Sequence, residues 1–253
     1  MRDLLAEYDT FLRTEAEMPD AVEVARIGPL WLATFPGGRG FVSYRDLAGA
    51  DVEMLVARTV AHFGQRPDVV EVEWKTRSHD DAPGLHEALV EHGFVPGEPE
   101  SVMIGTAASL AVDVPLPDGV SLRRITAADD LRRMAVMQGE VFGSAVDVDD
   151  LLARVAADPG IECWVAESGD EVVSAGRLQP VRGTVFAGIW GGATRPAWRS
   201  QGIYRALTAA RARSALREGK ELIHSDSTAD SRPILERYGF VKVTETTPYE
   251  RRR

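Results

Sequence analysis

Two stretches far apart in this chain close in the same way. Leu85-His86-Glu87-Ala88-Leu89-Val90-Glu91-His92 runs into Gly93-Phe94, and Ile234-Leu235-Glu236-Arg237-Tyr238 runs into Gly239-Phe240. Each reads as an amphipathic helix whose glycine takes a left-handed cap and whose phenylalanine opens a strand. What precedes the two endings also agrees in order. Before the first, a helix is expected over 2–15, with Leu4, Leu5, Tyr8, Phe11 and Leu12 on one face. Strands follow over 22–27, 30–35 and 41–44, then a helix over 51–63, a strand over 69–75 and the closing helix over 84–92; a strand over 101–105 completes the half. Before the second, the pattern gives a strand over 120–125, helices over 127–142 and 147–157, and strands over 162–167, 172–178 and 184–190. A helix over 206–216, a strand over 221–225, the closing helix over 231–237 and a strand over 240–246 complete it. Strands interleaved with helices in the order β-α-α-β-β-β-α-β-α-β predict an α/β (α+β) fold, each half a mixed, mostly antiparallel sheet flanked by helices.

Between the halves, Val112-Asp113-Val114-Pro115-Leu116-Pro117-Asp118-Gly119 packs two prolines and a glycine into eight residues, the composition of a stiff linker. The expected division is a first domain over 1–111, a linker over 112–119 and a second domain over 120–253. The 253 residues suit one large domain or two of average size, and 44% hydrophobic content can build a real core. Net charge is −10, from 29 Lys+Arg against 39 Asp+Glu. That balance argues against nucleic acid or an anionic membrane as partner. The single Cys163 excludes an intrachain disulfide, and its place in an apolar strand predicts an inert buried thiol. With no apolar run of membrane-spanning length and no signal peptide at the start, a cytoplasmic protein is expected.

The run from Ala193 to Tyr204 carries the chemistry. A strand, a short loop rich in Arg and Gly, and a helix start together make an anion site. The first-turn amides of a helix have no intrahelical acceptor, and the helix dipole adds positive potential there. Gly202 lets backbone approach a phosphate closely, and Arg199 adds a forked cationic donor. The equivalent loop of the first half, Arg45 to Asp51, holds one glycine and two carboxylates, Asp46 and Asp51, that repel a pyrophosphate.

This loop resembles that of the GNAT acetyltransferase family, whose Arg/Gln-x-x-Gly-x-Gly/Ala pattern is met at Arg199 and Gly202; Tyr204 stands where Gly or Ala is usual. Ala193, Thr194 and Pro196 fit the run into that loop, and Gly239-Phe240 resembles the family's close. The resemblance covers residues 120–249, about half of the chain, and implies two GNAT-like acyl-CoA N-acyltransferase domains, the first degenerate. It implies acetyl-CoA as co-substrate, its pyrophosphate on the amides of Gln201, Gly202, Ile203 and Tyr204 with Arg199 and Ser200 close by. The pantetheine arm would run beside the strand near Trp190 to Thr194, where Gly191-Gly192 suggests a bulge. The acceptor would be an amine of a small molecule or peptide, and a homodimer is possible.

The family's usual acid, a Tyr four or five residues before Gly-Phe, is missing, since Ile234 and Leu235 stand there. Ser231, Tyr204 and Tyr238 are the stand-ins. The strand before the loop offers no Glu as base. Asp226 and His224, at the end of strand 221–225, are the candidates that remain, with Glu140 as a possible acceptor-pocket residue. No metal site is expected, because the five His residues show no ligand spacing with Cys. The alternative reading is a non-catalytic acyl-CoA or small-molecule binding protein of the same fold.

Overall fold

The computed structural model describes residues 2–144 and 146–253. In chain order the elements are α1 (Leu4–Phe11), β1 (Glu23–Ile27), β2 (Leu30–Phe35), β3 (Arg39–Tyr44), α2 (Val52–Gly64), β4 (Glu71–Arg77), α3 (Leu85–Glu91), β5 (Val95–Pro96), β6 (Glu100–Thr106) and α4 (Ala107–Leu110). They continue with β7 (Val120–Ile125), α5 (Ala128–Phe142), α6 (Val148–Ala157), β8 (Glu162–Ser168), β9 (Glu171–Pro180), β10 (Phe186–Thr194), α7 (Ile203–Arg217), β11 (Leu222–Ser227), α8 (Arg232–Tyr238) and β12 (Val241–Arg252). The fold is the mixed α/β arrangement expected. Helix starts follow local chemistry: the carboxylates of Asp3, Asp51 and Asp147 each accept a first-turn amide of α1, α2 and α6.

The chain packs as two compact units whose sequences interleave. One takes the residues up to Met103 together with 226–233 and 242–253; the other takes 104–225 with 234–241. These units differ from a division at 112–119. Residues 112–119 form no helix or strand, and they lie within the second unit, where Arg213 donates to the Val112 carbonyl at 2.9 Å. The last strand runs to Arg252 and pairs antiparallel with β4, from Thr246 opposite Arg77 to Arg252 opposite Glu71.

In the first unit, β1, β2 and β3 form an antiparallel meander, and β3 pairs parallel to β4 with α2 as the crossover. The core there joins Leu30, Leu32, Tyr44, Val56, Trp74, Leu89 and Phe94. In the second unit, β7, β8, β9 and β10 are antiparallel neighbours and β10 pairs parallel to β11 with α7 as the crossover. Leu131, Met134, Cys163, Val165 and Ala175 are central to its main cluster. The succession β-β-β-α-β-α therefore recurs with the same pairing senses. Several boundaries move from expectation. α1 stops at Phe11 and a separate 3₁₀ turn covers Glu15–Glu17, while α7 begins at Ile203 rather than Ala206.

Candidate active site

The loop between β10 and α7 is built around two left-handed backbone positions. Ser200 has φ 63° and Gly202, the residue that caps α7, has φ 81°. Conformations of this kind turn successive amides to one side, the geometry of an anion-binding nest. No side chain caps α7, and the first bond into the helix runs from the Ala206 amide to the Gly202 carbonyl. Among the described residues, no main-chain or side-chain acceptor takes the amides of residues 200–205. The matching helix start in the first half is closed: Asp51 accepts the Met54 amide at 2.9 Å, and Asp46 accepts that of Ala48 at 2.8 Å.

Side chains hold the loop in shape. Arg199, exposed, donates through Nε to the Thr194 carbonyl at 3.1 Å. Gln201 donates to the Ala197 carbonyl at 3.0 Å. Ala193 is buried; its carbonyl accepts from the Ser174 hydroxyl, which also lies 2.8 Å from Thr194 Oγ1. Trp198 and Ile203 pack with Val120, Ala166 and Val173, anchoring both ends of the loop to the sheet. Gly202 has Val114 and Pro115 as its near neighbours, 3.7 and 3.8 Å from where a Cβ would stand.

Upstream, β10 is irregular where the glycines suggested it. Its register against β9 shifts between Trp190 and Ala193, and Gly191 has φ 61°. The ladder to β11 covers only Phe186–Gly188 opposite Leu222–His224. Beyond it, among the described residues, no rung to β11 continues along residues 190–194, whose other edge pairs with β9, and Gln138 Nε2 donates to the Gly191 carbonyl at 2.5 Å. A strand edge of this kind can pair with an extended amide-bearing chain.

The three candidates for proton transfer occupy different surroundings. His224 is buried, with its ring edge-on to Phe186 at 6.0 Å and to Trp190 at 5.2 Å. Ser231 belongs to a hydroxyl turn, 2.8 Å from Ser227 Oγ and 3.0 Å from Thr228 Oγ1. Asp226 faces Lys75 Nζ at 2.5 Å inside the first unit. Lys75 also reaches Glu17 at 3.5 Å, and Glu17 further contacts Arg77 and the Ser43 hydroxyl. Burial would lower the Lys75 ammonium, but the carboxylates of Asp226 and Glu17 outweigh it and hold the pKa above its ordinary range. Nearby Glu73 and Glu100 are pushed above the usual carboxylate range, chiefly by burial.

Glu140 pairs with Arg195 at 2.6 Å. Asp147 caps α6, and Asp150 pairs with Arg154 at 2.8 Å. Burial pushes the Cys163 thiol up to about 11. Among the described residues no group of three or more His, Cys, Asp or Glu is placed to hold a metal, and no helix is long and apolar enough to cross a membrane.

Sequence reasoning missed Lys75 and the surroundings of Tyr204. The Tyr204 ring lies 6.1 Å from that of Tyr238, and its hydroxyl crowds Gly192. Beneath it, Arg211 is fully buried. The unusual Tyr at a small-residue position was the available signal for this cluster; nothing local marks Lys75.

The irregular end of β10 and the run of unengaged amides meet at the loop before α7. Residues 127–251 match the family model described as an acetyltransferase (GNAT) domain. Over these residues the chain belongs to the GNAT acetyltransferases. No curated protein sequence matches the chain. Among solved structures, a GCN5-related N-acetyltransferase from Kribbella flavida superposes with TM-score 0.73 at 15% identity, over 99% of this chain and 96% of that one. A conserved protein from Staphylococcus epidermidis, described as functionally unknown, gives 0.68 at 12%, over 94% and 97%. A tandem GNAT protein from the clavulanic acid biosynthesis pathway gives 0.63 at 14%, over 98% and 94%. At these identities the likeness is one of fold.

Proposed function

We propose that this protein is an N-acetyltransferase that moves the acetyl group of acetyl-CoA to an amine of a small molecule or peptide, with the working site in the second half. One observation carries the reading: the run of amides over residues 200–205 that no protein acceptor takes, at a helix start capped by a glycine. Such a run costs free energy if buried unpaired and suits a pyrophosphate. The coenzyme would meet the amides of Gln201, Gly202, Ile203 and Tyr204, with Arg199 and Ser200 adding donors. Its pantetheine amides would pair along residues 190–194, with Ala193 and Thr194 at the loop end. Acyl transfer then needs a neutral amine held against the thioester and a proton for the leaving sulfur. The first half, whose equivalent helix is capped by Asp51, serves as scaffold, acceptor wall or dimer surface. The cytoplasm is the expected compartment.

Calorimetry with coenzyme A on wild type, Gly202→Ala and Gly202→Glu tests the site. Alanine adds only the strain of a left-handed side chain and keeps affinity within a few fold. Glutamate sets an anion beside an anion and weakens binding about a hundredfold, roughly 3 kcal/mol at an effective dielectric near 20. Equal affinity across the three proteins contradicts the placement. A non-catalytic coenzyme-binding reading is favoured by one observation, the engagement of Asp226 by Lys75, since protonating that carboxylate would break a buried ion pair. Release of thiol in the presence of a panel of amines decides between the two.

A further inference from the structure

Strand β10 carries one residue more than its neighbour requires. Its pairing with β9 sets Trp190 opposite Arg177 and resumes with Ala193 opposite Ala175, so Gly191 and Gly192 together face the single Gly176. The bulge turns on Gly191, whose φ of 61° is left-handed. One buried polar side chain holds it. Gln138, on α5, is 4% exposed, and its Nε2 donates to the Gly191 carbonyl at 2.5 Å. A carbonyl only accepts, so the amide must present its nitrogen there. A Cβ on Gly191 would stand 2.9 Å from that nitrogen. Among the described residues the Gln138 side chain makes no other hydrogen bond, so all of its bonding within the protein goes to the bulge.

A strand alternates its groups with period two. One added residue therefore exchanges, beyond the bulge, which residues turn their N–H and C=O toward the outer edge. In the shifted register Ala193 is buried and Thr194 Oγ1 lies 2.8 Å from the Ser174 hydroxyl. The edge concerned is the one along which no rung to β11 follows Gly188. The first half shows the alternative. Its β3 pairs with β2 without a shift, from Leu30 opposite Tyr44 to Phe35 opposite Arg39. There too a side chain next to the first helix holds a carbonyl past the last rung to the parallel strand. Arg13 donates through Nε to the Tyr44 carbonyl at 3.2 Å, two residues beyond Val42 opposite Trp74. That holder is a cation, anchored by Asp80 at 2.7 Å. An unshifted strand goes with the closed helix start at Asp51, and a shifted strand goes with the open one at Gly202.

We infer that Gln138 is a positioning residue for the coenzyme's pantetheine arm. By holding the Gly191 carbonyl it fixes the bulge, and the bulge sets which backbone groups of residues 192–194 the arm meets. The inference rests on the coenzyme reading above and adds the residue that puts the strand in register for it. Gln138 acts through Gly191, touching neither the nucleotide nor the reacting atoms. The phosphate cradle is shaped separately, by the left-handed Ser200 and Gly202. Loss of Gln138 therefore weakens the arm's contacts and spares those of the nucleotide, a split that plain loss of core packing does not produce.

The test needs no known acceptor. Calorimetry on the full-length protein compares coenzyme A with 3′-phospho-ADP, the same molecule without its pantetheine arm. Wild type should bind coenzyme A the more tightly of the two. Gln138→Met keeps the length of the side chain and removes the donor. It should lose about tenfold in affinity for coenzyme A, the net worth of one hydrogen bond, with affinity for 3′-phospho-ADP unchanged. Gln138→Glu, which sets an acceptor against a carbonyl, should lose more, again on coenzyme A alone. Should either variant fail to fold, Gly191→Ala, whose methyl would stand 2.9 Å from Nε2, should give the same split. Equal loss for both ligands, or loss for neither, overturns the role of Gln138 and leaves the coenzyme reading standing. A wild type that binds the two ligands equally tightly overturns the arm's pairing along β10 and this inference with it. A wild type that binds neither overturns the coenzyme reading itself.

Discussion

Replacing Lys75 by Met removes the ammonium that Asp226 and Glu17 share at 2.5 and 3.5 Å. The three side chains retain 14%, 11% and 13% of their exposure, so solvent offers little compensation. At an effective dielectric near 20, each contact at about 4 Å is worth roughly 4 kcal/mol before desolvation, and desolvation cancels much of it. Deleting one partner is the costly change, because the carboxylates stay buried with one cation fewer; a loss of about 3–5 kcal/mol is expected. The pH dependence fixes the sign. Without Lys75 the folded-state pKa of the carboxylates rises above its unfolded value, so the folded state binds protons more readily. The deficit against wild type is then full near pH 7 and shrinks as pH falls toward 5. Urea unfolding at the two pH values measures it, and Lys75→Met combined with Asp226→Leu should recover most of the loss. A deficit below 1 kcal/mol, or one that grows on acidification, refutes the assignment of Asp226 as a structural counter-ion.

Gly192→Ala forces a methyl against Tyr204 and should cost about 1–3 kcal/mol by overpacking; in a Tyr204→Ala background the cost should largely vanish in a double-mutant cycle of urea midpoints. Asp51→Ala removes the α2 cap and should lower stability by ~1 kcal/mol while calorimetry finds coenzyme A affinity unchanged. Cys163, with its thiol pushed up to about 11, is thiolate in about one molecule per thousand at pH 8, so a thiol reagent should label native protein slowly and urea-unfolded protein at once.

Local signals in the sequence carried much of the architecture. Strand β7 over 120–125 and β2 over 30–35 stand as expected, because alternation and flanking turns are short-range properties. Other features depend on distant partners. The last strand is expected over 240–246; in the fold, Pro248 lies opposite Lys75 and the strand continues to Arg252. α7 starts before Ala206 because Gly202 supplies a left-handed cap, which Ile203-Tyr204-Arg205 does not announce. At the loop, the left-handed backbone at Gly202 is legible from the glycine itself. The Lys75–Asp226 pair is not, since the two residues are 151 positions apart and only the folded chain joins them.

Amide hydrogen exchange over residues 199–206, with and without coenzyme A, tests the account most directly. In the free protein these amides should exchange fast, as groups bonded only by water do. Saturating coenzyme A should slow them by more than tenfold while the first-half amides of residues 46–54 stay unchanged. Protection of 199–206 in the free protein, or protection on binding that appears around 46–54 instead, would contradict it.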